Sequence, residues 1–132
     1  MPRPIHFDLG ATDPARAIAF YKAAFGWTVR KWNGPFEYYM IMTGAPDEPG
    51  IDGGLVPSMG GTHETMLTID VTSLEEAMVT VTAAGGTIVG DIQTIPDVGR
   101  MATCKDTEGN SFGLMELKRP DQHVEPGEPS AV

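Results

Sequence analysis

Ile5-His6-Phe7-Asp8-Leu9, read beside Met66-Leu67-Thr68-Ile69-Asp70-Val71, decides the fold. Each stretch alternates side-chain character as a strand does when one of its faces is buried. Behind the first stand Thr12-Asp13-Pro14, an N-cap signal with Pro in the first turn. A helix is predicted from Ala15 to Phe25, because Ala17, Ile18, Phe20, Tyr21, Ala24 and Phe25 recur at three- and four-residue steps. Gly26 ends it as a left-handed cap. Behind the second stretch Thr72 or Ser73 caps, Leu74 to Ala84 reads as a helix, and Gly85-Gly86 stops it. At a constant offset His6 falls on Met66, Leu9 on Ile69, Asp13 on Ser73, Ala17 on Ala77, Ala24 on Ala84 and Gly26 on Gly86. The chain is written twice, and a repeat of this kind sets the architecture ahead of any local propensity.

Each helix is followed by material for three further strands. In the first copy these are Trp27 to Trp32, Glu37 to Thr43 and Ile51 to Val56, parted by the turn-forming Asn33-Gly34-Pro35 and the segment from Gly44 to Gly50. In the second they are Thr87 to Val89 or a little longer, Arg100 to Lys105 and Ser111 to Leu117. Asp106 to Asn110 is a hairpin turn in which Gly109 and Asn110 supply positive φ. Gly54-Leu55 ends the first copy where Gly113-Leu114 ends the second. The expected fold is α+β, two tandem βαβββ modules forming curled mixed sheets around a cavity. Residues 1–58 make the first module, 59–64 a linker, 65–118 the second module and 119–132 a polar, Pro-rich flexible tail.

Composition removes several classes of function. Eighteen acidic against nine basic residues give a formal charge of -9, a field that repels phosphate backbones and anionic lipid, so neither nucleic acid nor membrane is an expected partner. One cysteine, Cys104, allows no intramolecular disulfide and no paired-thiol redox motif. No apolar run approaches the ~20 residues that cross a bilayer, and a cytoplasmic protein is expected. Phosphate-loop, dinucleotide and nucleophile-elbow fingerprints are absent.

Alternation assigns faces. Ile5, Phe7 and Leu9 should lie under the first helix, and Leu67, Ile69 and Val71 under the second, with Phe112 and Leu114 matching them in the last strand. The opposite face then carries His6, Asp8, Gly54, Met66, Thr68, Gly113 and Met115. Glycine admits close approach and methionine adapts in shape, as a ligand cavity requires. The alternative is a face that is merely solvated or covered by another subunit.

Ile5-His6-Phe7 with Asp13 and Phe20-Tyr21 ahead of Gly26-Trp27, then Ala83-Ala84-Gly85-Gly86, Val98-Gly99-Arg100-Met101 and Asp106-x-Glu108-Gly109-Asn110-x-Phe112-Gly113-Leu114, resemble the vicinal-oxygen-chelate superfamily. This group includes glyoxalases, bleomycin-resistance proteins and extradiol dioxygenases. The resemblance spans about residues 4 to 117 and points to the glyoxalase-like branch. It implies a cavity in which metal-dependent members take one ligand from the first and one from the last strand of each module. Carried over, those positions are His6, Gly54, Met66 and Gly113. Only His6 is a credible ligand, so no metal and no cofactor are expected. His63 and Glu64 would supply ligands only if the register slipped, and Glu116 shares the helix-side parity of Phe112 and Leu114.

Among single residues, His6 reads as a general base or as a donor to ligand, with a histidine paired to Asp8 as the alternative. Arg100 reads as structural rather than anion-binding. Trp27, Trp32, Tyr38 and Tyr39 offer stacking surface or core, and Cys104 reads as a buried, inert thiol. The leading function is metal-free binding of a small organic molecule, the protein acting as a binder or as a lyase or isomerase of the glyoxalase type. A metal-dependent lyase, isomerase or dioxygenase and an antibiotic-sequestering protein are the alternatives. A homodimer is expected in each case.

Overall fold

A computed structural model describes residues 2–58 and 65–118. The linker at 59–64, with His63 and Glu64, and the tail at 119–132 lie outside the described residues. The described residues form two compact units that divide between Thr68 and Ile69.

The first unit runs β1 (Arg3–Ala11), α1 (Pro14–Phe25), β2 (Thr28–Lys31), β3 (Tyr39–Met42) and β4 (Gly53–Pro57), with strand order β2-β3-β4-β1. Strand β4 runs parallel to β1, with Asp8 opposite Gly54 and Leu9 opposite Leu55, and β3 is antiparallel to both β2 and β4. Asp13 caps α1, its Oδ1 accepting from the Arg16 backbone N–H at 3.1 Å, and Gly26 closes it at φ 72°. A cap of this kind contributes about 1 kcal/mol. The core holds Ala11, Ile41 and Leu55, with Phe7, Leu9, Ala17, Trp27, Val29 and Tyr39 packed against them. Helix and sheet therefore meet through the side of β1 that alternation assigned.

The second module repeats the plan with β5 (Met66–Asp70), whose first three residues group with the first unit, then α2 (Leu74–Ala83), β6 (Thr87–Ile95), β7 (Gly99–Lys105) and β8 (Ser111–Leu117), in the order β5-β8-β7-β6. Ser73 caps α2 through its Oγ, which accepts from the Glu76 N–H at 3.2 Å. Val71, Leu74, Ala102, Cys104 and Leu114 are buried together, and Ile69, Ala77, Val81, Ile88 and Phe112 surround them. The architecture is α+β, two tandem βαβββ modules.

Several expectations need correction. Leu67 is 44% exposed rather than covered; the strands α2 packs over are β6, β7 and β8. Phe20 and Phe25 are 57% and 61% exposed. They stack with Tyr21 and Trp27 on one another instead of entering the core. Strand β6 continues to Ile95 because Gly90, at φ 76°, opens a bulge between Val89 and Gln93 rather than ending the strand. The left-handed residue after α2 is Gly85, at φ 105°, one place earlier than the repeat offset suggested. In the hairpin turn only Gly109 has positive φ; Asn110 instead donates through its backbone and its side chain to Asp106.

Arg100 ties the second unit together. It stands opposite Glu116 in the β7–β8 register and donates to Glu116 at 2.6 Å and to Glu75 of α2 at 2.7 and 2.9 Å. Hydrogen bonds from Arg100 hold the Glu75 carboxyl down at about 2 from its ordinary 4.5. A carboxylate depressed in the folded state adds stability that is present above 4.5 and lost as pH falls toward about 2. Arg100→Gln should therefore lower the melting temperature at neutral pH, and that deficit should shrink across this window. A deficit that stays constant to pH 2 would assign the loss to packing instead.

Candidate functional site

On β1 the pleat sends Phe7 and Leu9 toward α1 and sets His6 and Asp8 on the other face. The β1–β4 register brings Gly54 opposite Asp8, and the β3–β4 register brings Met40 opposite Gly54. Tyr39 and Ile41 belong to the core, so Tyr38 and Met40 share the face of His6. A Cβ on Gly54 would overlap the phenol of Tyr38. The missing side chain at Gly54 is what lets Tyr38 lie across the sheet.

There the Tyr38 hydroxyl joins two of the residues singled out in β1. It lies 2.6 Å from His6 Nε2 and 2.7 Å from Asp8 Oδ1, while Nε2 and Oδ1 are themselves 3.4 Å apart. A phenol has one proton, and an ionised carboxylate has none to give. The hydroxyl therefore donates to Asp8 and accepts from Nε2–H of His6. Burial, then the adjacent Asp8 carboxylate, pushes the Tyr38 phenol well above its ordinary pKa, so it stays protonated. Neutral His6 is thereby held as the tautomer with its lone pair on Nδ1. Nδ1 and Asp8 Oδ2 have no hydrogen-bond partner among the described residues. Both side chains are partly exposed.

An aromatic turn adjoins this group. The Trp32 N–H donates to the Tyr38 carbonyl at 2.8 Å, closing the loop between β2 and β3. The indole covers Gly34, where a Cβ would collide with the ring. Trp32 and Phe36 have centroids 4.9 Å apart, and both meet Tyr38 edge-on at 6.0 and 6.2 Å. The Tyr38 ring in turn stacks on His6 at 6.4 Å.

The other expected cavity residues stand on β5 and β8. Met66 is half-buried and Thr68 is 3% exposed, both on β5. On β8, Gly113 stands opposite Thr103 and Met115 opposite Met101, on the face away from α2. The structure thus gathers His6, Asp8 and Gly54 around Tyr38, and within the second module Gly113 and Met115 pair with Thr103 and Met101. Phe36 and Met40 were not anticipated, and Tyr38 was anticipated only as a stacking or core residue. Of the other residues weighed, Trp27 stacks face to face with Tyr21 at 5.2 Å, and the Tyr39 hydroxyl donates to Glu37 in an exposed hydrogen bond. Cys104 is fully buried, and burial pushes its thiol up, as suits an inert side chain.

The donor set does not fit a divalent metal. Of the four positions that the resemblance implies, only His6 offers a metal-binding donor, through Nδ1; Gly54 and Gly113 have no side chain, and Met66 offers only a soft thioether. Glu116 is committed to Arg100. Among the described residues no three His, Cys, Asp or Glu side chains are grouped for an ion.

Comparison with known proteins agrees with this architecture. The glyoxalase-like domain family matches residues 4–115. No curated protein matches the chain. Among solved structures, methylmalonyl-CoA epimerase from Mycobacterium tuberculosis is similar at TM-score 0.67 and 13% identity, covering 88% of each chain. A hypothetical protein from Bacillus halodurans C-125 gives TM-score 0.69 and 12% identity over 94% of this chain and 98% of its own. Streptomyces coelicolor methylmalonyl-CoA epimerase in complex with 2-nitronate-propionyl-CoA gives 0.64 and 13% over 85% and 94%. Identities this low speak for the fold alone. From the two βαβββ modules and the match over most of its length, the chain belongs to the glyoxalase-like domain family of the vicinal-oxygen-chelate superfamily.

Proposed function

We propose that this protein binds a small organic molecule on the face formed by His6, Asp8, Tyr38 and Gly54, and that it does so without a metal. The observation that carries the reading is the Tyr38 hydroxyl held between His6 Nε2 and Asp8 Oδ1. Two partly exposed polar residues are fixed in orientation by a third, with acceptor atoms to spare, which is the preorganisation a binding site needs. In a reaction, Nδ1 of His6 is the atom placed to take a proton from the bound molecule, and Tyr38 is a positioning residue. A CoA ester, the ligand class of the epimerase complex, finds less support: its phosphates would meet a chain of formal charge -9.

The test is a fragment screen followed by titration of Tyr38→Phe. This substitution keeps the ring and removes the hydroxyl, so His6 is no longer held in one tautomer. Hits on the wild type should weaken by about five- to tenfold, the worth of one net hydrogen bond of about 1–1.4 kcal/mol. Wild-type hits should also survive a chelator. Hits that need a divalent ion, or that bind Tyr38→Phe as well as wild type, would remove the reading.

A further inference from the structure

The proton count and the aromatic turn together narrow the ligand class, and the narrowing rests on the site proposed above. With Nε2–H of His6 spent on Tyr38 and the Tyr38 proton spent on Asp8, the polar atoms left over are Nδ1 and Oδ2, and both accept. A ligand group that can only accept would face two lone pairs and leave them unmatched, which is costly once water is excluded. A group carrying N–H or O–H satisfies them. Tyr38, which holds both His6 and Asp8, also adjoins a group of rings: Trp32 and Phe36, tilted at 59° to each other, with Tyr38 edge-on to both. Phe36 is 51% exposed. Such rings give a flat partner stacking area at little entropic cost.

We propose that the site selects a planar aromatic or heteroaromatic ring bearing an N–H or O–H donor, with the ring on Trp32 and Phe36 and the donor directed to His6 and Asp8. Charge plays no necessary part in this selection.

Three probes, uncharged at pH 8, separate the elements of the claim: 3-aminoquinoline is flat and has a donor, quinoline is flat without one, and cyclohexanecarboxamide has a donor without a flat ring. Titration is followed on the two indole N–H signals of the full chain, those of Trp27 and Trp32. The expected result is that 3-aminoquinoline shifts Trp32 and not Trp27, and binds about five times tighter than quinoline, the value of one net hydrogen bond. Cyclohexanecarboxamide should be weakest. Phe36→Ala, at an exposed position that carries no fold, should weaken both planar probes by at least about threefold; Trp32→Ala should do so more strongly. Equal binding of quinoline and 3-aminoquinoline, equal binding of the non-planar amide, or an unchanged Phe36→Ala would overturn the inference. Fragment hits sensitive to Tyr38→Phe but non-planar would do the same and leave the metal-free site standing. An absence of any hit sensitive to Tyr38→Phe would remove both.

Discussion

Gly54→Ala is expected to abolish ligand binding on the His6 face while the first module stays folded. The new methyl group would sit where the Tyr38 phenol lies. A half-buried side chain at the end of a loop can swing away, so the clash is relieved by moving Tyr38 rather than the strand. That movement breaks both hydrogen bonds of the hydroxyl and frees the His6 ring. Binding should fall more than tenfold, with a stability loss of about 1–3 kcal/mol for the overpacked position. Gly53→Ala makes the contrast. Its Cβ would stand 2.5 Å from the Phe7 backbone oxygen, an obstacle that no rotamer change removes. The neighbouring substitution should therefore damage the fold itself, visible in circular dichroism as a lowered or broadened melt. If Gly54→Ala bound the screened hits as wild type does, the position of Tyr38 would have no part in recognition.

Leu74→Ala is expected to produce the largest loss of stability among single side-chain truncations in the second module. Leu74 is fully buried at the first turn of α2, within the cluster of Val71, Ala102, Cys104 and Leu114. Truncation removes the transfer energy of the side chain and leaves a cavity between helix and sheet, together about 3–5 kcal/mol. A domain of ordinary stability has only about 5–15 kcal/mol in all. The adjacent cap gives a scale, since Ser73→Ala removes one side-chain acceptor from the Glu76 N–H and should cost about 1 kcal/mol. Urea titration of the two variants should reproduce that order. A Leu74→Ala loss below about 1 kcal/mol would mean that α2 is not anchored through this residue.

The repeat made the fold legible because it was carried by residues with unambiguous roles. Asp13 and Ser73 are short polar side chains directly ahead of apolar periodicity, and both cap. Leu55 and Leu114, each following a glycine in the closing strand of its copy, are both buried. The alternation of β1 was equally readable, so His6 and Asp8 fell on the correct side. Reading became harder where every residue is apolar. Tyr38-Tyr39-Met40-Ile41-Met42 gives no polarity signal, and only the pairing of β3 with β4 shows that Tyr38 and Met40 turn toward His6. The link through the Tyr38 hydroxyl spans 32 residues to His6 and 30 to Asp8, a contact that local pattern does not encode. Exposure misled in the other direction. Phe20 and Phe25 fit a helical stripe, but hydrophobic periodicity does not say how much of the stripe a sheet covers. Leu67 lay in phase with Ile69 and Val71 and is still 44% exposed. At Gly90 a residue that commonly breaks a strand bends this one instead.

The most direct test is a 15N-edited spectrum of the His6 imidazole, recorded with chelator present, before and during titration with a fragment hit. The free protein should show the proton on Nε2 and a bare Nδ1, and the ligand should move the Nδ1 resonance while Nε2 stays bound to Tyr38. A His6 ring with its proton on Nδ1, or one that responds to ligand only after a divalent ion is added, would contradict the account.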